Sequence, residues 1–476
     1  MEIKIKKSLF AYLFLFLLML PAIGFSIGSM FIPYLFILEG VIFVLMLLFN
    51  RNFLNDIMLL CRKTPFLYMF LFFIWASFTV IVSMFQGTFY LKSFIFGYIG
   101  GLIFCVLCPL LFSYFINKNF VPAENFIKLY VIIYLFVFGL GIIEFIIKQY
   151  DLDLAVMLVS LFNNRRIGLS LGDGSLSLIW RIKSIFDEPA VLGEFIYLNI
   201  PIIFSLVLSK YKIFESKLFN KTIKLVLIPL TAAVLILTKS PITLVFTVII
   251  TLFYFYKNII YTVKKYYLII TAFLLAVFLL FILYTLGSGV NINLEQSYLM
   301  RIVNTIKNMS SIHDLIDAEP SLATRIINYA NNMLVFMKYP LFGTGYGNMS
   351  SYMVVQMQNT PLPLTQELWG MLIKQQGGIA SAIFYKAAAE TGIIGIILLF
   401  VFGIKTYLLN KKLIKISDGI IKDFLQGINF YLIVFMTFVF FYNSNLHSTQ
   451  YWLIFGFIYA YSAVLRKRTL KHENHN

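Results

Sequence analysis

The most constraining feature of this sequence is a series of long apolar runs separated by short charged connections. About 20 apolar residues are the length that an α-helix needs to cross the hydrocarbon core of a bilayer. Twelve such runs are present, at about 8–25, 30–49, 66–86, 93–116, 127–147, 190–208, 222–238, 242–256, 266–286, 382–404, 424–442 and 448–465. The sequence therefore predicts an all-α, polytopic membrane protein with about twelve transmembrane helices.

The distribution of lysine and arginine predicts the orientation of these helices. If the N-terminus lies inside the cell, most basic residues collect on the cytoplasmic side, in alternate connections and in the tail after Leu465. This asymmetry follows the positive-inside rule, so we expect both termini to be cytoplasmic. The formal net charge of +17 is then a topology signal, and it does not indicate a nucleic-acid partner.

Two outer connections are much longer than a turn, at about 148–189 and 287–381. Loops of this length are usually functional, so we expect the function to be extracytoplasmic. The second loop divides the chain into three predicted parts. They are an N-terminal bundle of about nine spans over 1–286, the extracytoplasmic loop over 287–381, and C-terminal spans with a short cytoplasmic tail over 382–476.

The second outer loop contains a predicted helix over about 322–338, with Ser321 as its N-cap. Spacings of three, four and seven residues from Arg325 place Asn328, Tyr329 and Asn332 on one face of this helix. A guanidinium, two amides and a phenol supply charged and neutral hydrogen-bonding groups. This face therefore suits phosphate oxygens and sugar hydroxyls.

A glycine-rich turn follows this helix. Pro340 ends the helix, and glycines follow at Gly343, Gly345 and Gly347. Glycine lets the backbone adopt positive φ and lets N–H groups approach an anion. A Gly-x-Gly-x-Gly string alone is more often a plain turn. Behind a cationic helix and before another span, it indicates an anion-binding turn at Gly343 and Gly345.

The end of the first outer loop carries a second charged motif, which begins at Arg181. Asp187 and Glu188 stand beside Pro189, where acidic groups favour a helix start and can also be functional. Glu194 falls inside the following span, and an unpaired carboxylate there is costly. It needs a partner or a water-filled cavity, so this segment indicates a polar crevice that opens outward.

Three further polar residues are candidates for the site. Lys239 lies in a turn at the outer surface, where it either snorkels or reaches the same crevice. Glu390 is a carboxylate at membrane depth, close to Gly392, which can serve helix packing alone. His447 lies among polar residues at the mouth of the last span. No nucleotide-binding loop, Rossmann fingerprint or zinc-ligand spacing is present, so we expect chemistry without cofactor or metal.

Four motifs in this order resemble the O-antigen ligase and polymerase superfamily, and most closely the Wzy-type polymerases of O-antigen and capsular polysaccharide. They are Arg181-x-x-x-Ile-Phe-Asp-Glu-Pro, the Leu-Thr-Lys-Ser-Pro turn, Arg325 through Pro340-Leu-Phe-Gly-Thr-Gly-Tyr-Gly, and Glu390-Thr-Gly-Ile-Ile-Gly. The resemblance covers the whole length of the chain. Each motif is loose alone, and their order and membrane sides together give the resemblance its specificity.

The resemblance implies transfer of a growing glycan from undecaprenyl diphosphate to the sugar end of another lipid-linked repeat unit. The reaction would take place on the outer face of the bacterial inner membrane. By analogy, Arg181 and Arg325 would hold the diphosphate and stabilise charge as it leaves, with help from Lys239. The expected partners are the undecaprenyl-diphosphate-linked oligosaccharide, the lipid bilayer and a membrane protein that regulates chain length.

The resemblance also implies an acidic or imidazole base for the acceptor hydroxyl. Glu390, Glu188 and His447 are the candidates, in falling order. Ligases of the superfamily carry a histidine about nine positions before this glutamate, whereas Ser381 stands there in this sequence. The difference favours a polymerase over a ligase, unless His313 or His447 takes the place of that histidine.

Two other classes remain as alternatives. A flippase for lipid-linked oligosaccharide also has about twelve spans, but it should show two related halves and short outer loops. This sequence shows neither feature. A peptidoglycan polymerase would share the lipid diphosphate donor, but the motifs of that class are not found in the sequence.

Overall fold

The computed structural model describes residues 24–27, 30–33, 64–118, 120–150, 189–238, 240–259, 320–360, 362–366, 368–370, 382–442 and 449–473, with isolated positions 12, 41, 55, 58, 182, 184, 186, 313 and 316. The predicted runs at 8–25, 30–49 and 266–286 lie almost entirely outside the described residues. The first outer loop and most of the second lie outside them as well.

The described elements are numbered here in chain order. They are β1 (Gly24–Ile27), β2 (Met30–Pro33), α1 (Phe66–Phe85), α2 (Leu91–Phe94, Ile95–Ile99, Gly100–Leu102, Ile103–Leu107 and Cys108–Asn117, one continuous helix with two π-helical stretches), α3 (Ala123–Tyr150), α4 (Pro189–Leu208), α5 (Lys217–Leu237), α6 (Pro241–Ile259), α7 (Pro320–Lys338), α8 (Met349–Gln358), α9 (Ile383–Ile416), α10 (Gly419–Val434, Phe435–Val439 and Phe440–Tyr442) and α11 (Thr449–Glu473).

Seven of the described helices are long and apolar enough to cross a membrane. They are Phe66–Phe85, Gly97–Asn117, Ala123–Lys148, Ala190–Leu208, Lys217–Leu237, Ile383–Ile416 and Gly419–Val439, and two shorter apolar helices cover Thr243–Tyr254 and Tyr451–Arg466. All of them coincide with predicted runs. The all-α, polytopic membrane architecture is therefore confirmed, and the short antiparallel pair β1–β2 is a feature that the apolar pattern did not predict.

The chain forms two compact units whose segments alternate along the sequence. The first unit contains residues 1–38, 118–294 and 410–431, and the second contains residues 39–117, 295–409 and 432–476. The predicted boundaries at 286 and 381 separate membrane spans from an outer loop, whereas the two compact units are defined by packing. The predicted division therefore stays a prediction.

Small residues let the helices of the first unit approach each other closely. A Cβ atom on Gly193 of α4 would lie 2.1 Å from the Oγ1 atom of Thr243 on α6. A Cβ atom on Gly427 of α10 would lie 2.6 Å from the Cα atom of Ile202 on α4. Helices in membranes associate mainly through such packing and through interhelical hydrogen bonds. These glycines therefore set the spacing of α4 from α6 and α10.

In the second unit, α11 packs along α2 and against α9. The hydroxyl of Ser113 on α2 donates to the Gly456 carbonyl of α11 at 2.9 Å. The hydroxyls of Thr406 on α9 and Tyr459 on α11 lie 2.8 Å apart. These buried polar groups form hydrogen bonds within the helix bundle, because the hydrocarbon core of a bilayer contains no water that could satisfy them.

The helix α9 differs from the predicted span at 382–404. It continues to Ile416, and it is broken at Gly392, where φ is 66° and ψ is −165°. This backbone conformation is open to glycine almost alone. The break interrupts the i→i−4 hydrogen bonds and leaves carbonyl and N–H groups of α9 for other partners.

The helix α7 was predicted closely. It covers Pro320–Lys338, so Ser321 lies inside its first turn and the prediction that Ser321 precedes the helix as its N-cap is wrong. Proline is favoured at the first helical position because its missing N–H group has no intrahelical partner there. Apolar side chains of α7 and α8, among them Ile327, Val335 and Met353, form one buried cluster.

Candidate functional site

The turn between α7 and α8 covers residues 339–348, and its conformation depends on glycine. Gly343, Gly345 and Gly347 have φ values of 66°, 87° and 87°. Residues with a Cβ atom adopt such positive φ values only with strain. The predicted glycine turn is therefore confirmed in its position and in its backbone conformation.

This turn docks on α9 where that helix is broken. Three backbone hydrogen bonds join them: Thr344 N–H to the Ala389 carbonyl at 2.8 Å, Gly345 N–H to the Glu390 carbonyl at 3.0 Å, and Ile393 N–H to the Pro340 carbonyl at 2.9 Å. The break at Gly392 makes these groups of α9 available, because an unbroken helix would bond them internally. The motifs around Pro340 and Glu390 thus form one structure.

The two segments touch so closely that side chains are excluded. A Cβ atom on Gly343 would lie 2.3 Å from the carbonyl carbon of Glu390, and one on Gly392 would lie 2.1 Å from the oxygen of Leu341. The N–H group of Gly343 donates to the Tyr339 carbonyl at 2.9 Å, and that of Gly345 donates to Glu390. Both N–H groups are thus engaged by carbonyl oxygens. The role of Gly343 and Gly345 in binding an anion stays a prediction.

Asn348, which the sequence pattern did not single out, fixes the end of the turn. Its side-chain nitrogen donates to the Thr344 carbonyl at 3.0 Å and to the Ser83 hydroxyl at 3.1 Å. Its side-chain oxygen accepts the N–H of Tyr90 at 3.1 Å. One buried amide therefore joins the turn to α1 and to the start of α2. An asparagine directly before a helix was the available signal, although such a residue usually caps its own helix.

Tyr346 anchors the middle of the turn. Its ring lies edge-on to Phe72, Phe73 and Tyr98, at centroid distances of 5.6, 5.7 and 6.1 Å. Edge-to-face aromatic pairs of this kind are favourable beyond their buried area. Burial raises the pKa of the Tyr346 phenol well above its usual value, so the side chain is neutral. The ring is a packing anchor for the turn.

The Glu390 carboxylate lies at the N-terminus of α8. The side chain is 1% exposed, and its Oε1 atom accepts the N–H of Met349 at 3.2 Å. The Nζ atom of Lys386 lies 4.0 Å from Oε1, one helical turn earlier on α9. A negative charge is favourable at this end of a helix, where N–H groups lack intrahelical partners.

Arg325 and Tyr329 lie on the partly exposed side of α7. The Tyr329 ring stacks on Tyr385 of α9, with centroids 4.7 Å apart and planes at 12°. Tyr385 directly precedes Lys386, whose side chain is 27% exposed. The stacked pair therefore holds this side of α7 against the stretch of α9 that leads to Glu390. Lys386 is a cation that the sequence analysis missed, because a lysine near a span end is unremarkable in sequence.

Asn328 and Asn332 do not share that partly exposed side. Both are fully buried, as is Asn331, and the side-chain nitrogen of Asn332 donates to the Asn328 carbonyl at 2.6 Å. Among the described residues, neither side-chain atom of Asn328 has a hydrogen-bond partner. The predicted face is therefore divided: the guanidinium and the phenol are partly accessible, whereas the amides point into the interior.

A second buried carboxylate, Glu144 of α3, organises the first unit. It is 1% exposed, accepts the Ser184 N–H at 2.7 Å and accepts from Lys148 Nζ at 2.6 Å. Ser184 has a φ of 53°, and its hydroxyl donates to the Val137 carbonyl at 2.7 Å. Glu144 thus fixes the chain between Arg181 and Glu188. The missed signal was a carboxylate inside a span, which is costly without a partner.

The other predicted residues are distributed as follows. Glu194 is buried in α4, and the outward-opening crevice beside it stays a prediction. Arg181, Glu188, Lys239 and His447 lie outside the described residues. Within the described part of the chain, no group of three His, Cys, Asp or Glu side chains could hold a metal ion.

Comparison with known protein families gives a match over part of the chain. Residues 225–400 match a family model described as O-antigen ligase. The matched part includes three of the four motifs that carried the predicted resemblance, at Lys239, at Arg325 with the glycine turn, and at Glu390, and it leaves out the motif at Arg181. This match supports similarity to the O-antigen ligase and polymerase superfamily, whose substrates are polysaccharides. No curated protein matches the chain.

Proposed function

We propose that this chain is a membrane glycosyltransferase that polymerises polysaccharide, such as O-antigen or capsule. It transfers the growing glycan from undecaprenyl diphosphate to the sugar end of another lipid-linked repeat unit. The observation that supports this proposal most is the docked pair of motifs, the glycine turn on the Glu390 segment, inside the part of the chain that resembles O-antigen ligases. We propose the bacterial inner membrane as its location, with both termini cytoplasmic and the site outside.

In the proposed reaction, the acceptor hydroxyl loses its proton to a base and its oxygen bonds to the anomeric carbon of the donor. The bond from that carbon to the diphosphate oxygen breaks, and undecaprenyl diphosphate leaves with the bonding electrons. Arg325 stabilises the charge that develops on the diphosphate, because a guanidinium can donate two parallel hydrogen bonds to phosphate oxygens. Its partly exposed position on α7 supports this role.

Neighbouring groups extend this site. Lys386 adds a second cation beside the Tyr329–Tyr385 pair, and the flat faces of these two rings suit the apolar face of a sugar. The roles of Arg181 and Lys239 in binding the diphosphate stay predictions. So do those of Asn328 and Asn332 in binding the glycan.

The base remains to be assigned among Glu390, Glu188 and His447. A general base must come within about 2.6–3.2 Å of the hydroxyl that it deprotonates. We propose no metal or nucleotide for the reaction. The proposed partners are the lipid-linked oligosaccharide, the bilayer and a membrane protein that regulates chain length.

The second candidate is an O-antigen ligase, and the description of the matched family favours it. A ligase would transfer the finished glycan to a different acceptor, with the same donor and the same leaving group. Ser381 stands at the place of the histidine that ligases carry, and this supports the polymerase.

The test is deletion of the gene followed by analysis of the glycan ladder. If the chain is a polymerase, the deletion strain displays a single capped repeat unit. A strain that displays none would indicate a ligase, and precursors that accumulate inside would indicate a flippase.

Complementation with Arg325→Ala then tests the site. We expect this variant to abolish the ladder at an unchanged protein level, because the leaving diphosphate loses its cation. Lys338→Ala, which removes a cation from the last turn of the same helix, should restore the ladder. A full ladder from Arg325→Ala would contradict the diphosphate role.

A further inference from the structure

We propose that Glu390 is a positioning residue and not the proton acceptor. Its carboxylate holds the N-terminus of α8, and it thereby fixes the turn through which α7 is held against α9. This inference rests on the proposed glycosyl transfer, and it removes the leading candidate from the choice of base.

The helix α8 has no side-chain cap of its own. Asn348 occupies its N-cap position, yet its side chain makes no capping hydrogen bond to α8. The Asn348 amide is directed instead to Ser83, Thr344 and Tyr90. The first N–H groups of a helix need acceptors from outside the helix. Glu390 supplies one from α9, at 3.2 Å from the N–H of Met349.

The main chain and the side chain of Glu390 bind the turn and the start of α8 that follows it. The carbonyl of Glu390 accepts the Gly345 N–H at 3.0 Å, while the carboxylate accepts from Met349. The two contacts lie on either side of Gly347, one within the turn at Gly345 and one at the first residue of α8. A residue that binds both a short turn and the start of the next helix sets the position of that turn.

The Glu390 carboxylate is inaccessible to a sugar hydroxyl while the turn is docked. Glu390 is 1% exposed, and the turn covers it so closely that a Cβ atom on Gly343 would collide with its backbone. A sugar hydroxyl could reach this carboxylate only if the turn left α9. The same movement would break the contacts that place α7, the helix that carries Arg325 and Tyr329.

Two substitutions at Glu390 separate the roles in a turnover assay with purified full-length protein and a lipid-linked repeat unit. Glu390→Gln keeps an oxygen that can accept the Met349 N–H, but it cannot take up a proton. We expect it to retain at least about a third of the turnover and the wild-type pH profile. Glu390→Ala removes the acceptor, and we expect a loss of at least about tenfold. Removal of a general base would instead cost about 10²–10⁴-fold in both variants.

Hydrogen exchange of residues 343–349 gives the second readout. Exchange should be faster in Glu390→Ala, whereas Glu390→Gln should stay close to wild type. Asp418→Asn, which neutralises an exposed carboxylate of another segment, is the matched control and should change neither readout. An inactive Glu390→Gln with a normally protected turn would overturn the proposal. A protected turn in Glu390→Ala would overturn it as well.

The two readouts also separate this inference from the proposed function. If the wild-type protein makes no polymer and its deletion leaves the ladder intact, the polymerase assignment fails. The exchange measurement still decides whether Glu390 holds the turn.

Discussion

The segments around Glu390 and Glu144 are built from the same parts and use them differently. Each glutamate is 1% exposed in an apolar helix, and each accepts a backbone N–H from a segment outside that helix. Each also has a lysine one helical turn away. Lys148 contacts Glu144 at 2.6 Å and is 11% exposed, whereas Lys386 lies 4.0 Å from Glu390 and is 27% exposed. The first carboxylate is balanced mainly by a cation, the second mainly by a backbone N–H group.

The helices that carry the two glutamates differ as well. The helix α9 is broken at Gly392 and shares backbone hydrogen bonds with the docked turn. At Glu144 the loop adapts instead, through the positive φ of Ser184. A backbone-based contact requires glycines at fixed positions and leaves a motif in the sequence. A contact based on an ion pair leaves only two charged residues in the sequence, and these do not form a recognisable motif.

The largest effect is expected from Gly392→Ala, which tests whether the break in α9 is obligatory. The new Cβ atom would lie 2.1 Å from the oxygen of Leu341, at a φ of 66°. Backbone strain of this kind costs about 1–3 kcal/mol, and the collision adds to it. We expect the fraction of folded protein in size-exclusion chromatography to fall sharply.

Gly139→Ala in α3 is the control for this change, because a Cβ atom there would meet nothing within 4 Å. It should be as well folded as wild type. Equal folding of the two alanine variants would show that α9 tolerates an unbroken helix.

An intermediate effect is expected when each lysine is removed. Lys148→Met removes the 2.6 Å ion pair between Lys148 and the buried Glu144, and breaking a buried pair costs about 3–5 kcal/mol. Lys386→Met removes a longer and more exposed contact, for which about 1 kcal/mol or less is expected. Thermal unfolding of both variants in the same detergent measures the difference. An equal loss would mean that Glu390 depends on its cation as strongly as Glu144 does.

The smallest effect is a pH dependence near the docked turn, at the end of α7. The Lys338 ammonium donates to the Tyr352 hydroxyl at 3.4 Å, and this hydrogen bond raises the pKa of Lys338 above its usual 10.5. A raised folded-state pKa stabilises the folded protein below the unfolded value, and that stability is lost as the pH rises through the folded value. Lys338→Met should therefore lower the melting temperature slightly at about pH 8, and the difference should shrink towards about pH 11. A difference that grows with pH would contradict the assigned contact.

Part of this picture followed from sequence alone. The helix α7 and its end before Pro340 were predicted, because a proline stop and apolar periodicity act within a few residues. The loop partner of Glu144 and the partners of Asn348 at Ser83 and Tyr90 were not predicted. Their contacts join residues that are far apart in the chain or depend on a loop that folds back, as in the pair Ser184–Glu144. Charge and residue type in one segment carry no information about such a partner.

The sequence by itself determined that this chain is a helical membrane protein, since the length of an apolar run decides whether a helix can cross lipid. It also determined where the backbone turns, since positive φ at Gly343, Gly345 and Gly347 requires glycine. Only the tertiary structure decided what the N–H groups of that turn bind. An N–H group can donate to a phosphate or to a carbonyl, and a sequence does not say which acceptor lies closer. In the structure, the turn packs on α9, so its N–H groups meet the carbonyls of Ala389 and Glu390, and the N–H of Met349 meets the Glu390 carboxylate.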